Sequence, residues 1–342
     1  MVTRIEKPGP RRKRVPGALA DWRCAAFAFF AALMLCTARA QDYPTRQIVL
    51  IVPFPAGGST DSIARIVAEP LRAALGQPVI VQNITGAGAT LGVTRAVQAP
   101  PDGYTLSVGN WTSHVGAGAV YPVPWHVIKD LEPVSMLSIS TLIIAGRTGM
   151  PAKDGKEFIA WLRANPGQAT AATVGAGSGA HICGLYIQQK TGTDFRYVPY
   201  RGGAPVMADL MANQVDFFCG EASQMLPHFR AGKIKPLIVM SKARWRPLPE
   251  VLTMEEVGAS ETYIEFWNGM WAPKGTPRPI IAKLNEAVRK VLADPAVVKR
   301  LGELGQDIPS RERMTPEGFG AFHQSEIDKW WPLIKSANVK VE

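Results

Sequence analysis

Glycines set beside small hydroxyl side chains are the residues of this chain best suited to binding chemistry. They recur in four turns: Pro53-Phe54-Pro55-Ala56-Gly57-Gly58-Ser59-Thr60-Asp61, Thr85-Gly86-Ala87-Gly88-Ala89-Thr90, Gly175-Ala176-Gly177-Ser178-Gly179-Ala180-His181 and Pro199-Tyr200-Arg201-Gly202-Gly203-Ala204. Glycine leaves backbone N–H groups unshielded, and a helix that starts at such a turn aims its first donors and positive dipole end at an anion. Ser59, Thr60 and Asp61 offer helix caps or further contacts. A micromolar ligand needs about −8 kcal/mol. Charge-assisted hydrogen bonds supply roughly 1.5–3 kcal/mol each, and two partly buried helix ends up to about 2 kcal/mol each. Four or five well-aimed donors therefore suffice without an arginine. The first three turns contain none, and Arg201 in the fourth is either a charged partner or directed to solvent.

Other chemistries fit these residues less well. Gly86-x-Gly88-x-x-x-Gly92 misses the G-x-G-x-x-G dinucleotide spacing by one residue, and Gly175-x-Gly177-x-Gly179 is tighter than it. A phosphate-cradling Walker loop needs a lysine after its last glycine, and none is there. Ser178 lies between two glycines, but Ala176 replaces the first glycine of the G-x-S-x-G nucleophile turn. A secreted hydrolase using Ser178 and His181 is the catalytic alternative, although His181 at a helix start suits a cap or ligand donor better than a general base. The five histidines are scattered without ligand spacing, so no metal and no cofactor is expected. Asp209, Asp216 and Glu221 read as surface or strand-end carboxylates. Trp267 and Trp271, four apart, read as packing, while Phe54, Trp111 and Trp267 would suit an aromatic acid.

The turns need strands before them and helices after them. The unbroken apolar run 48–52 predicts a strand buried on both faces. Ile63, Ile66, Val67 and Leu71 recur at helical spacing, with Gly76 as C-cap and Pro70 expected to kink or shorten the helix. Strand 79–81, helix 91–98 and strand 104–108 complete three βα units, which predict a parallel, doubly wound sheet with ligands at the strands' carboxyl ends. Residues 109–130 read as a short helix plus loop, and 133–144 as one or two strands leaving the first domain. A second α/β series follows, with strands at 169–174, 195–198 and 215–219. Strand 267–272, a proline-rich hinge at 273–279 and three helices then return to the first domain. The expected fold is α/β: two lobes, each a doubly wound sheet, hinged by two crossing strands with a cleft between them. The lobes are 41–145 with 266–342, and 146–265.

The chain has 342 residues and a formal charge of +10. Residues 1–40 carry eight basic and two acidic side chains, so most of that charge belongs to the N-terminal segment. There, the apolar run from Ala25 to Cys36 is too short to span a bilayer, and Ala38-Arg39-Ala40 gives the small-x-small pattern before Gln41. A cleavable signal peptide over 1–40 and an exported protein are expected. The Arg11 to Arg14 cluster then belongs to the signal, and no nucleic-acid partner is expected. Cys24 and Cys36 leave with the signal. Cys183 and Cys219 remain, either as one disulfide or as two buried thiols.

Taken in order, Tyr43-Pro44, PFPAGGSTD, GAGATLG, PPDGYTL, GAGSGAH, VPYRGGAP, NQVDFF, RAGKIKPL, LPEVLTMEEVG and APKGTP resemble the extracytoplasmic receptors of tripartite tricarboxylate transporters, the Bug-type periplasmic binding proteins. The resemblance implies a type II-like two-lobe periplasmic binding protein and a small carboxylate between the lobes. It also implies no catalytic step, a monomer, and delivery to permease subunits absent from this chain. By motif match, Phe54, Ala56, Gly57, Gly58, Ser59, Thr60 and Asp61 fall in the first ligand turn, and Gly88, Ala89 and Thr90 in the second. Gly177, Ser178, His181, Tyr200, Gly202 and Ala204 form the second-lobe wall. In that frame Cys183 and Cys219 lie near the cleft ends of adjacent elements, which favours a disulfide. Ala89 stands where relatives usually carry glycine. Besides the hydrolase, a ligand-sensing receptor for a membrane kinase shares the same site, and the ligand stays open among dicarboxylates, tricarboxylates, aromatic acids and amino acids.

Overall fold

The computed structural model describes Gly9, residues 43–259 and residues 263–336. The expected signal peptide, apart from Gly9, and its Ala40/Gln41 cleavage site lie outside the described residues. The apolar run forms β1 (Ile48–Val52), which leads through the first glycine turn into α1 (Ser59–Leu75). Pro70 does not shorten this helix. A proline inside a helix costs about 3 kcal/mol. Burial of Ile63, Ile66, Val67, Leu71 and Leu75 along one face offsets that at roughly 1.5–3 kcal/mol for each large side chain. Gly76 ends the helix in the left-handed region, its N–H reaching Arg72 O at 3.0 Å.

β2 (Val79–Asn83), a tight turn at Ala87–Ala89, α2 (Thr90–Val97) and β3 (Thr105–Asn110) follow. The ambiguous stretch after β3 forms a wide turn of π-helical spacing, Thr112–Gly116, and α3 (Ala117–Val120). One strand, not two, occupies the next region: β4 (Leu131–Arg147), 17 residues long. The second lobe adds α4 (Gly155–Ala164), β5 (Thr170–Thr173), α5 (Gly179–Thr191), β6 (Arg196–Pro199) and α6 (Gly203–Met211). It continues with β7 (Phe217–Glu221), α7 (Ala222–Arg230), β8 (Ile234–Val239) and β9 (Leu252–Thr253). The chain then returns through β10 (Glu265–Pro273) to α8 (Arg278–Ala293), α9 (Pro295–Glu303) and α10 (Pro316–Ser336).

The strand order is β2-β1-β3-β10-β4-β7-β5-β6, with β8 and β9 branching from β4. β4 is long because it serves both lobes. Its first part, to Thr141, pairs with β10, whereas Leu142 onward pairs with β7 on one side and β8 on the other. The second crossing lies beside the first: Met240 N–H bonds Leu142 O at 2.9 Å, and Ile264 N–H bonds Met240 O at 3.0 Å just before β10. The sheets are mixed, not purely parallel. β1, β2 and β3 are mutually parallel, as are β5, β6 and β7, while the crossing strands β4 and β10 run against their neighbours. The terminal helices pack back as expected, α8 on α1 and α10 on β4. In the second lobe Cys183 of α5 and Cys219 of β7 are joined as a disulfide across a Cα–Cα distance of 6.3 Å.

Candidate functional site

The first glycine turn opens because Gly57 adopts φ +81°, which a side chain rarely tolerates. Gly58, not a hydroxyl residue, occupies the N-cap position of α1, and no side chain caps the helix. Ser59, Thr60 and Asp61 are helical residues instead of the expected caps. The N–H groups of the first turn consequently receive no side-chain cap. Asp61 braces the turn from behind and is only 2% exposed. Its carboxylate accepts hydrogen bonds from Gly57 N–H, Arg65 Nε and Asn83 Nδ2, each at 2.9 Å. Burial pushes this carboxyl up, but Arg65, Gly57 and Asn83 together hold it below the ordinary range. Asn83 also donates to Phe54 O at 2.9 Å, so β2 and the turn are tied together. Thr60 Oγ1 donates to Asn268 Oδ1 at 3.1 Å and accepts from Asn110 Nδ2 at 3.0 Å.

The second turn carries more strain. Ala87, Gly88 and Ala89 all have positive φ, at +45°, +61° and +78°. Two alanines in this region are costly, and such strain concentrates at functional sites. The methyl of Ala89 is thus accommodated by the turn. Gly88 is required, since a Cβ there would lie 2.3 Å from the Tyr121 ring. Thr90 turns its hydroxyl back to Ala87 O at 2.8 Å and braces the turn.

These two turns form one wall of an interlobe cleft of about 560 Å³. Of the residues expected at the site, Phe54, Gly58, Ser59, Thr60, Gly88 and Ala89 line it from the first lobe, and Tyr200, Gly202 and Ala204 from the second. Ala56, Gly57, Asp61, Thr90, Gly177, Ser178 and His181 do not line it. Tyr200 is fixed by donating its hydroxyl to Asp209 at 2.7 Å; burial and then this bond push the phenol up to about 12. Ser178 caps α5, its Oγ accepting from His181 N–H at 3.2 Å, while His181 Nδ1 accepts from Gly177 N–H at 3.2 Å. Ser178 therefore meets the backbone of His181, not its ring, and burial lowers the imidazole. Trp111 and Trp267 are fully buried away from the cleft, so Trp267 packs as expected and neither offers the contact that would suit an aromatic acid.

The lobes touch around the cleft. Ser59 Oγ and Ser223 Oγ are 2.9 Å apart, and Gly179 N–H bonds Thr112 Oγ1 at 3.2 Å. A Cβ on Gly116 would stand 2.1 Å from Gly177 O, so glycine is needed for the two lobes to meet there. Asn110, Thr112, Tyr121, Glu221, Gln224 and Phe266 also line the cleft and were not expected there. Asn110 and Glu221 had a usable signal, for each ends a strand where open α/β sheets gather ligands. Glu221 ends β7 as expected of a strand-end carboxylate, but it is buried within the cleft, not on the surface. Its Oε1 accepts from Gln306 Nε2 at 2.7 Å.

Residues 63–339 match the tripartite tricarboxylate transporter family receptor. BugT of Bordetella pertussis is 34% identical over 89% of this chain and 93% of its own length. A protein from the TAR-I ttuE-ttuC' intergenic region of Agrobacterium vitis is 33% identical over 96% of this chain and 95% of its own. The structure of the periplasmic binding protein BugD superposes with a TM-score of 0.82 at 34% identity, covering 88% of this chain and 100% of that one. MatC from Rhodopseudomonas palustris, with bound malate, gives 0.81 at 34% identity over 85% of this chain and 100% of its own. An R. palustris protein with adipate gives 0.82 at 28% identity over 87% of this chain and 99% of its own. The chain thus belongs to the tripartite tricarboxylate transporter receptor family, with the two-lobe fold of a Bug-type periplasmic binding protein.

Proposed function

We propose that this chain is an exported periplasmic receptor that closes on a small carboxylate and presents it to the permease of a tripartite transporter, acting as a monomer and without catalysis. Residues 41–145 with 266–342 form the lobe that takes the first acid group, and residues 146–265 the lobe that closes over it. The observation that carries this reading is the uncapped start of α1 facing a cleft with the left-handed turn at 86–89 beside it. Gly58, Ser59, Thr60, Gly88 and Ala89 supply the anion site, and Tyr200, Arg201, Gly202 and Ala204 the opposite wall. Dicarboxylates head the candidates because relatives of this fold hold malate and adipate. The hydrolase alternative loses support from the site's geometry, since Ser178 Oγ is spent as a helix cap and His181 Nδ1 on Gly177.

A thermal-shift screen of dicarboxylates, tricarboxylates, aromatic acids and amino acids tests the reading. A true ligand at a hundred times its Kd adds about 2.7 kcal/mol to the unfolding free energy, a shift of several degrees. If no carboxylate raises the Tm, the reading fails.

A further inference from the structure

Behind the crossing strands lies a second cavity, of about 630 Å³. Successive side chains of a strand point to opposite faces, and the two cavities divide them. Leu142 and Phe266 line the cleft, whereas their neighbours Thr141 and Glu265 line the rear cavity. Its walls come from both lobes: the segment 241–247 from the second, and Gly302, Gly305, Gln306 and Asp307 from the first. The lobes meet closely here, since a Cβ on Gly305 would stand 2.1 Å from Trp245.

Gln306 forms the wall between the two cavities. It is 3% exposed, and its Nε2 donates to Glu221 of the cleft at 2.7 Å. That bond fixes the amide's orientation, because a flip would set two acceptors against each other. Gln306 Oε1 is left buried with no partner among the described residues, a costly state for an acceptor. The cavity's charges are also uneven. Arg244 is taken up by Glu256 at 2.8 Å, and Glu265 by Arg313. Arg246 comes only within 3.9 Å of Asp307, and both are largely exposed, so this pair holds its charges weakly. Lys242 makes no ion pair among the described residues; its ammonium lies 4.5 Å from the Tyr263 ring centre, and Lys329 approaches the same ring at 5.4 Å.

We propose that the rear cavity is a second ligand site, for a small phosphate monoester carrying a free hydroxyl, and that its occupancy favours closure of the cleft. Phosphate brings a double negative charge to Lys242 and Arg246, and an ammonium binds it as a point charge. The hydroxyl supplies the donor that Gln306 Oε1 lacks. The effect on closure follows from position. Lobes that part in front of the crossing strands come together behind them, so a filled rear cavity resists opening. By linkage, a ligand in the cleft must tighten the rear site by the same factor. The coupling, but not the site, rests on the proposed closure around a carboxylate.

Calorimetric titration of the exported chain at neutral pH with glycerol 3-phosphate, sulfate and glycerol tests the site. Glycerol 3-phosphate should bind about tenfold or more tighter than sulfate, which carries charge but no donor, and glycerol should not bind. Lys242 is exposed, so Lys242→Ala should fold normally and weaken glycerol 3-phosphate by about tenfold or more, the value of one charge-assisted bond. Gln306→Met removes the acceptor and should bring glycerol 3-phosphate down to the affinity of sulfate. If that variant does not fold, Lys242→Ala and the sulfate comparison still decide. No binding of glycerol 3-phosphate, sulfate binding as tightly, or full affinity in Lys242→Ala would each overturn the site. With the carboxylate of largest thermal shift held at saturation, glycerol 3-phosphate should bind severalfold tighter. Weaker binding would mean that the two compete for the cleft and would overturn the site, and unchanged binding would overturn the coupling. If no carboxylate binds, the proposed function fails, and the titrations of the chain alone still decide the rear site.

Discussion

In the first lobe, the turn before α1 ends on Gly58 with no side-chain cap, and its donors face the cleft. In the second lobe, the turn before α5 ends on Ser178, whose hydroxyl caps the helix, and His181 bonds back to Gly177. The two turns share a strand before, a helix after, and a run of glycine, serine and alanine between. One is braced from behind by Asp61 and left open in front. The other is filled by its own side chains and uses glycine for a close approach, with Gly116 of the first lobe packed against Gly177 O. The teaching is that two glycine-rich helix starts of like composition can differ in capping, and only the uncapped one keeps its first N–H groups free of the chain's own side chains. The lobes also differ in how they hold their walls, the first by a buried hydrogen-bonded carboxylate and the second by the Cys183–Cys219 disulfide beneath it.

Asp61→Ala should have the largest effect, because it strips the open turn of its brace. Loss of the bonds to Gly57, Asn83 and Arg65 is expected to cost about 3–4 kcal/mol in urea unfolding and to abolish detectable carboxylate binding. Because Asp61 is held below its ordinary value in the folded chain, its contribution is complete at neutral pH. It is lost only as the pH falls below 3.8 and through the depressed folded value. An Asp61→Ala protein with normal affinity would remove the brace from the account.

Replacing Cys183 and Cys219 together with serine should cost about 3.8 kcal/mol, as expected for a closed loop of this size. The sequence separation is 36. Carboxylate affinity should change little, because the proposed acid site lies on the other lobe. A larger loss of affinity than of stability would mean that the second-lobe wall carries the grip.

Gly116→Ala should weaken ligand binding about tenfold, equivalent to roughly 1.4 kcal/mol, with a modest fall in Tm, because the added methyl would lie 2.1 Å from Gly177 O of the other lobe and 3.1 Å from Trp111 of its own. Small-angle scattering should then show a protein that stays expanded at saturating ligand. Ser178→Ala should have the smallest effect, about 1 kcal/mol for a lost helix cap, with affinity unchanged. A large loss of binding in Ser178→Ala would erase the distinction between the two turns.

Much of the fold was legible because apolar runs and glycine turns alternate in a simple rhythm. The first βα unit and the return of the terminal helices follow from such local patterns, whereas the antiparallel crossing strands and the branch β8–β9 do not. Pro70 misled, since tertiary burial along α1 outweighs the bond it removes. The span of β4 was ambiguous because a strand shared by two lobes changes partners at Leu142 without any change in its own composition. Within the site, the first-lobe turns could be read from glycine alone. Glu221 could be placed at a strand end from the sequence, but its burial could not, because its hydrogen-bond partner Gln306 is 85 residues away in the chain. Ser178 and His181 looked chemically active for the opposite reason: their types suggest a reactive pair, while the helix geometry spends both on capping.

A crystal structure of the chain with a bound carboxylate would test the central claim most directly. The account predicts carboxylate oxygens within hydrogen-bonding distance of the N–H groups that open α1, at Ser59 and Thr60, and beside the turn at Gly88 and Ala89. A carboxylate seated instead on Ser178 and His181, with the start of α1 facing only water, would contradict it.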